Sequence, residues 1–155
     1  MTTQLTTFYI GDQLFGFEVM RVQEVTGKLL AIRVPLAPHF IRGLINLRGQ
    51  IATAVTLHDL FNLEPHSKDP EASIVCKVKD GLFSFIVDAI GDVVEVKQSQ
   101  FEVPPHIVPV EIRKCLSGIY KTDSGLLSVI DLEKIFIELT QSTKLISPIK
   151  HQELL

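Results

Sequence analysis

Residues 74–79 and 82–88 are runs of β-branched, aliphatic and aromatic residues, and Asp80-Gly81 separates them. Such a dipeptide closes a two-residue turn whose backbone needs positive φ, which glycine adopts without a Cβ penalty. It is a hairpin signal, and the same grammar recurs along the chain. Residues 5–10 and 14–19 flank Gly11-Asp12, and residues 41–47 and 50–57 flank Arg48-Gly49. Residues 116–121 and 126–131 flank the turn Thr122-Asp123-Ser124-Gly125. A chain punctuated in this way is expected to be mainly β, with roughly ten strands joined by tight turns. One segment keeps another period. Leu132, Ile135, Phe136 and Leu139 share a helical face, which predicts a helix over residues 132–141 with Asp131 at its start.

The order of these pieces repeats. A shift of 75 residues lays residues 41–61 over residues 116–136 and matches Gly43 with Gly118, Leu57 with Leu132 and Phe61 with Phe136. A shift of 68 lays residues 14–25 over residues 82–93, pairing Phe17 with Phe85, Val19 with Val87 and Glu24 with Asp92. Duplication of a five-stranded unit of about 70 residues follows, with short helical turns at residues 57–63 and after Asp131. A unit that small buries too little surface to stand alone, so two closed or nearly closed barrels packed together are expected. The expected organisation is one domain over residues 1–142, with a first barrel at 14–70 and a second at 71–142. The N-terminal strand is free to pair with the second barrel, residues 65–72 read as a surface crossover, and residues 143–155 read as a flexible tail.

Composition removes several function classes. Hydrophobic residues make up 46% of the 155, enough for a packed core. A formal charge of −3 leaves no footprint for nucleic acid. Division near residue 63 gives +1 and −4, and five Lys or Arg residues from Arg21 to Arg48 face Glu24 alone. That asymmetry suits a protein partner better than a phosphate backbone. Cys76 and Cys115 stand in apolar, strand-like runs and read as buried, unreactive thiols. His39, His58, His66, His106 and His151 include no pair at i, i+4, and neither cysteine belongs to a CxxC. With no GxSxG, P-loop or GxGxxG in the chain, no catalytic residues, metal site or cofactor are expected. Asp88 and Asp92 are placed on the polar side of a half-exposed strand or turn, with Val87, Ile90, Val93 and Val94 as its buried face. The aromatic residues are nine Phe and two Tyr within apolar runs, so they read as core. Residues 1–7 are polar, and no apolar run approaches the roughly 20 residues of a membrane span. A cytosolic, reduced protein is predicted.

The stretch Phe40-Ile41-Arg42-Gly43-Leu44-Ile45-Asn46-Leu47-Arg48-Gly49-Gln50-Ile51 resembles the core motif of the CheW family of chemotaxis adaptors. The turn at Leu47-Arg48-Gly49 carries the Arg48 guanidinium to a rim, where its fork of donors can pair with a carboxylate or amide. The resemblance covers about residues 5–140. Residues 8–19 are similar to the family's opening hairpin, Val22-Gln23-Glu24-Val25 to its V-x-E-(I/V) element, and residues 32–39 to its proline-containing approach. Residues 85–93 and 128–132 resemble its second-half strands and helix start. The resemblance implies a pair of SH3-like barrels with a groove between them that receives the cytoplasmic tip of a chemoreceptor. The positions matching the family's receptor side are Val22, Glu24 and Arg48. A second implied partner is the regulatory domain of the CheA histidine kinase; its surface is not assigned residue by residue, and apolar residues near Gly43 and Gly118 are candidates.

The chain departs from the family after the core motif. Proline, aspartate and arginine of the usual run are replaced by Thr53, Thr56 and His58, which leaves the strand pattern but alters local charge. That departure bears on the partner more than on the fold, and it admits a paralogue serving a pilus, surface-sensing or other pathway. The competing class is a small ligand-binding β-barrel, which would show a deep pocket with convergent polar groups.

Overall fold

The computed structural model describes residues 1–67 and 72–142. The predicted crossover at 65–72 falls partly, and the predicted tail at 143–155 wholly, outside the described residues. The described chain runs β1 (Thr2–Ile10), β2 (Gln13–Glu18), β3 (Val22–Thr26), β4 (Ile41–Leu47), β5 (Gln50–Thr56) and helix α1 (Leu57–Phe61). It continues through β6 (Ala72–Val78), β7 (Gly81–Val87), β8 (Ala89–Lys97), β9 (Phe101–Glu102), helix α2 (Val110–Arg113), β10 (Leu116–Thr122), β11 (Gly125–Ile130) and helix α3 (Leu132–Ser142). The predicted hairpins and the C-terminal helix are present. The short pieces β9 and α2 had no signal in the sequence, because two to four residues carry no period to read.

The fold is mainly β, two SH3-like barrels built on two sheets. One sheet has the order β8-β1-β2-β11-β10-β9, the other β3-β6-β7-β5-β4. The first exceeds five strands only through the two-residue β9. The sheets do not divide where a cut at residue 70 would divide the chain. Hairpin β6–β7 lies between β3 and β5, and hairpin β1–β2 lies between β8 and β11. Under the shifts read from the sequence, β1–β2 corresponds to β6–β7, β3 to β8, and β4–β5 to β10–β11. Each copy therefore keeps its last three strands and gives its first hairpin to the other copy. Each exchanged hairpin is joined on both flanks: β6–β7 by antiparallel pairing with β3 and parallel pairing with β5, and β1–β2 by antiparallel pairing with β8 and parallel pairing with β11. Exchange lets each barrel complete its sheet only with both halves present.

The core follows from that exchange. Its largest cluster draws Phe8, Phe15 and Phe17 from the six-stranded sheet, Phe83 and Phe85 from the five-stranded one, and Phe61, Leu132 and Ile135 from the helices. A chain of rings crosses the interface: Phe8–Phe17 at 5.0 Å, Phe17–Phe85 at 5.1 Å, Phe83–Phe85 at 6.1 Å and Phe83–Phe136 at 6.0 Å between centroids. Such offset or edge-on pairs add about 0.5–1.5 kcal/mol each beyond area burial. Two small clusters fill the separate barrels: Leu5, Val96, Leu127 and Val129 in one, Ile45, Ala52, Ala54 and Ile86 in the other.

The matched glycines do matching work. Strand register shifts between Ile41 and Gly43 in one copy and between Leu116 and Gly118 in the other. A Cβ on Gly43 would collide with the Ile32 carbonyl, and one on Gly118 would collide with the Phe101 ring. Each is a bulge that lets a neighbouring segment lie flat against the strand.

The expected buried face of residues 87–94 needs correction. Val87 is buried, but Ile90 and Val93 are exposed, and inward packing on β8 comes from Val94 and Val96. β8 is an edge strand paired only with β1, so its phase is set by the small barrel interior.

Candidate functional site

Strand β3 begins with Val22-Gln23-Glu24-Val25, an alternating segment at one end of the five-stranded order, while β4 lies at the other end. A flat sheet would hold these edges four strands apart. Instead the Arg48 guanidinium, at the β4–β5 turn, donates a hydrogen bond from Nη2 to Oε1 of Glu24 on β3. The sheet has curled until its edges meet, and the ion pair spans the seam.

The turn that presents Arg48 is tightly specified. Arg48 has φ 51° and Gly49 φ 90°, so both central residues are left-handed, as a hairpin turn matching strand twist requires. Asn46 Oδ1 accepts the Gly49 N–H at 2.8 Å and fixes the turn from below. The sequence marked Gly49 for positive φ but gave no sign that Arg48 shares it, which costs a non-glycine residue about 1 kcal/mol. The pair is lopsided in exposure: the Arg48 side chain is 68% accessible and that of Glu24 is 24%. Glu24 Oε2 is buried without a hydrogen-bond partner. The carboxylate is thus an anchor beneath, and the guanidinium is the face shown outward.

The third predicted residue sits differently. Val22 is half-buried and packs against the main core cluster, at the start of β3 where it pairs in register with Cys76. Structure brings Glu24 and Arg48 together and leaves Val22 supporting the strand.

Two of the three departures from the family, Thr56 and His58, stand at the start of α1. Thr53 lies in β5 between β4 and β7. Thr56 stands at the cap position of α1, yet its side chain makes no cap bond and its buried hydroxyl has no partner. His58 places Nε2 3.4 Å from Asp59 Oδ1 and lines a surface groove with His39, Arg42 and Asn62. A second hollow, about 330 Å³, is lined by Tyr9, Asp12, His66 and Asp88. Asp88 there accepts the backbone N–H of Gly11 at 2.6 Å and of His66 at 2.9 Å. Asp92, placed with it on the polar side in the sequence reading, acts through its backbone carbonyl, which accepts from Thr7 Oγ1 at 2.5 Å. The two carboxylates are not a pair.

Cys76 and Cys115 are free and buried, and burial pushes both thiols up to about 12, so they stay protonated at neutral pH. Among the described residues no group of three or more His, Cys, Asp or Glu is placed to hold a metal ion. Nor, among them, is any helix long and apolar enough to cross a membrane.

Two SH3-like barrels sharing one core, with an arginine held outward at the seam of one of them, define a double-barrel scaffold. The chain belongs to the CheW-like domain family, whose model matches residues 4–139. It is similar to a probable chemotaxis protein CheW of Rhizobium etli, 32% identical with 87% of this chain and 88% of that protein covered. Chemotaxis protein CheW of Thermotoga maritima is 30% identical, with 88% and 89% covered. The crystal structure of the scaffolding protein TtCheW from Thermoanaerobacter tengcongensis is also similar, with a TM-score of 0.78 at 28% identity, covering 85% of this chain and 90% of that one.

Proposed function

We propose that the protein is a non-catalytic cytoplasmic adaptor that couples the cytoplasmic tip of a chemoreceptor to a CheA-type histidine kinase. One observation carries the receptor side: Arg48 is held outward by a strained turn and pinned through Glu24 across the barrel seam. A guanidinium fixed in this way has little rotamer freedom left to lose on binding a carboxylate or amide. Val22 contributes by holding β3 against the core. The adaptor itself is recruited to membrane arrays through the receptor and does not insert. A second reading keeps the adaptor role but assigns it to a pilus or surface-sensing pathway. It is favoured by Thr56 and His58, which remove the family's charged pair from the start of α1. The test is co-sedimentation with receptor and kinase fragments, comparing wild type with Arg48→Glu. Receptor binding is expected to weaken by about tenfold or more, with the fold retained. The thermal midpoint should fall slightly, by about 1 kcal/mol in stability, as Glu24 loses its partner across the seam. Unchanged receptor binding and kinase control would remove Arg48 from the site.

A further inference from the structure

The sulfur atoms of the chain belong to Met1, Met20, Cys76 and Cys115, and they differ sharply in access. Cys76 and Cys115 are 0% and 1% exposed, and as protonated thiols they lack the thiolate that reacts with peroxides. Met20 is 93% exposed, and a thioether needs no deprotonation to react. Apart from Met1 at the N-terminus, a two-electron oxidant that meets the folded protein finds Met20 as its open sulfur. Nothing in the fold asks for methionine there. Met20 is the middle residue of the short 3-10 turn Val19–Arg21 that joins β2 to β3. The shift of 68 sets it against Asp88, whose carboxylate accepts two backbone N–H groups, whereas the thioether faces solvent.

The backbone that carries this side chain is fixed. The Val22 N–H closes the turn onto the Val19 carbonyl, and Arg21 donates to both carboxylate oxygens of Glu133 on α3, at 3.0 and 2.8 Å. Four residues separate Met20 from Glu24, so their Cα atoms lie no more than about 14 Å apart. A helical hairpin, two helices each about 10–12 Å across, is wide enough to span that distance when it rests on Glu24 and Arg48. We infer that Met20 is a reversible oxidation site at the margin of the receptor surface, where its sulfoxide weakens receptor binding and reduction restores it. The inference rests on Arg48 marking that surface. In the step, the sulfur lone pair attacks one oxygen of hydrogen peroxide, and the S–O bond forms as the O–O bond breaks. The departing hydroxide takes the proton from the S–OH group and leaves as water, and sulfur has lost two electrons. A methionine sulfoxide reductase reverses the change when a dithiol supplies two electrons and two protons, giving a disulfide and water. Oxidation thus turns a flexible apolar side chain into a polar one at the edge of a contact that excludes water.

The test treats the full chain with hydrogen peroxide, locates added oxygen by peptide mass spectrometry and measures co-sedimentation with the receptor fragment. Oxygen is expected on Met20 and on neither cysteine, with receptor binding about tenfold weaker and recovered by methionine sulfoxide reductase with dithiothreitol. Met20→Leu should keep its own untreated affinity after the same treatment, although its Met1 is oxidised as before. Bound receptor fragment should slow oxidation of Met20 about tenfold and leave that of Met1 unchanged. The inference is overturned if oxygen falls on a cysteine instead, or if the oxidised wild type binds as the reduced protein does. It is equally overturned if Met20→Leu loses affinity to the same extent on treatment, or if the receptor fragment gives Met20 no protection. Arg48→Glu tells the two failures apart. Weakened binding by that variant, beside an oxidised wild type that still binds, sinks the role of Met20 alone, whereas unchanged binding by that variant sinks the receptor surface itself.

Discussion

Strands β4–β5 with α1 and strands β10–β11 with α3 are the same element twice, and they have diverged at both ends. At the hairpin tip, Arg48 corresponds to Asp123 and its partner Glu24 to Asp92, so one copy carries an ion pair where the other carries two acids. At the helix start, Thr56 corresponds to Asp131. The Asp131 carboxylate accepts the N–H groups of Glu133 at 2.9 Å and Lys134 at 3.2 Å, and the helix runs on to Ser142. Thr56 caps nothing, and α1 ends after five residues as Asn62 turns left-handed. The strands stayed alike because both serve one core. The tips face solvent, where one copy carries the Arg48–Glu24 pair across its seam and the other does not need the same residues.

Mutations can break this comparison in order of size. Phe17→Ala cuts the ring chain where it crosses between sheets and is expected to cost about 3–5 kcal/mol. Urea unfolding should remain a single transition; separate melting of two sheets would contradict the shared core. Next, Gly43→Ala should cost about 2–4 kcal/mol, since a methyl meets the Ile32 carbonyl at positive φ. Gly49→Ala meets nothing within 4 Å and should cost only about 1–2 kcal/mol from its backbone angle. The helix starts should respond in opposite directions. Asp131→Ala should lose about 1 kcal/mol with its cap, whereas Thr56→Val should gain about 1 kcal/mol by removing an orphaned hydroxyl, both read from denaturation midpoints.

The smallest effect concerns Arg21, which donates to both carboxylate oxygens of Glu133, at 3.0 and 2.8 Å. That hydrogen bonding holds the Glu133 carboxyl below its ordinary value. A lowered folded pKa means that the contribution is present above the unfolded value and is lost as pH falls through the folded one. Both side chains are substantially exposed, so Glu133→Gln should cost no more than about 0.5 kcal/mol at pH 7. The difference from wild type should vanish in acid.

The sequence was most legible where a single local rule decides the outcome. Asp80-Gly81 and the apolar runs beside it located a hairpin, but its turn is Lys79-Asp80. Val78 pairs with Gly81, and positive φ falls on Lys79 at 56°, where glycine was expected to carry it. The matches Gly43–Gly118 and Phe17–Phe85 likewise revealed the duplication. Hairpin exchange was not legible, since nothing in β6–β7 states which copy's β5 it will lie beside. Arg48 and Glu24 were found through the family motif. Their meeting depends on sheet closure, and the left-handed backbone of Arg48 depends on a turn that spacing alone does not fix. The phase of β8 was misread because an edge strand alternates about whichever interior it borders, and apolar residues such as Val93 are free to face water.

The exchanged hairpins also bear on what a two-ended connector can do. Two barrels on a flexible tether would lose orientational freedom each time a partner engaged both, and that entropy would be subtracted from the affinity. Here each barrel is completed by strands of the other, and a continuous aromatic core lies between them. The distance and angle between the two ends are set at folding, once, and a partner at one end meets a second end already aimed.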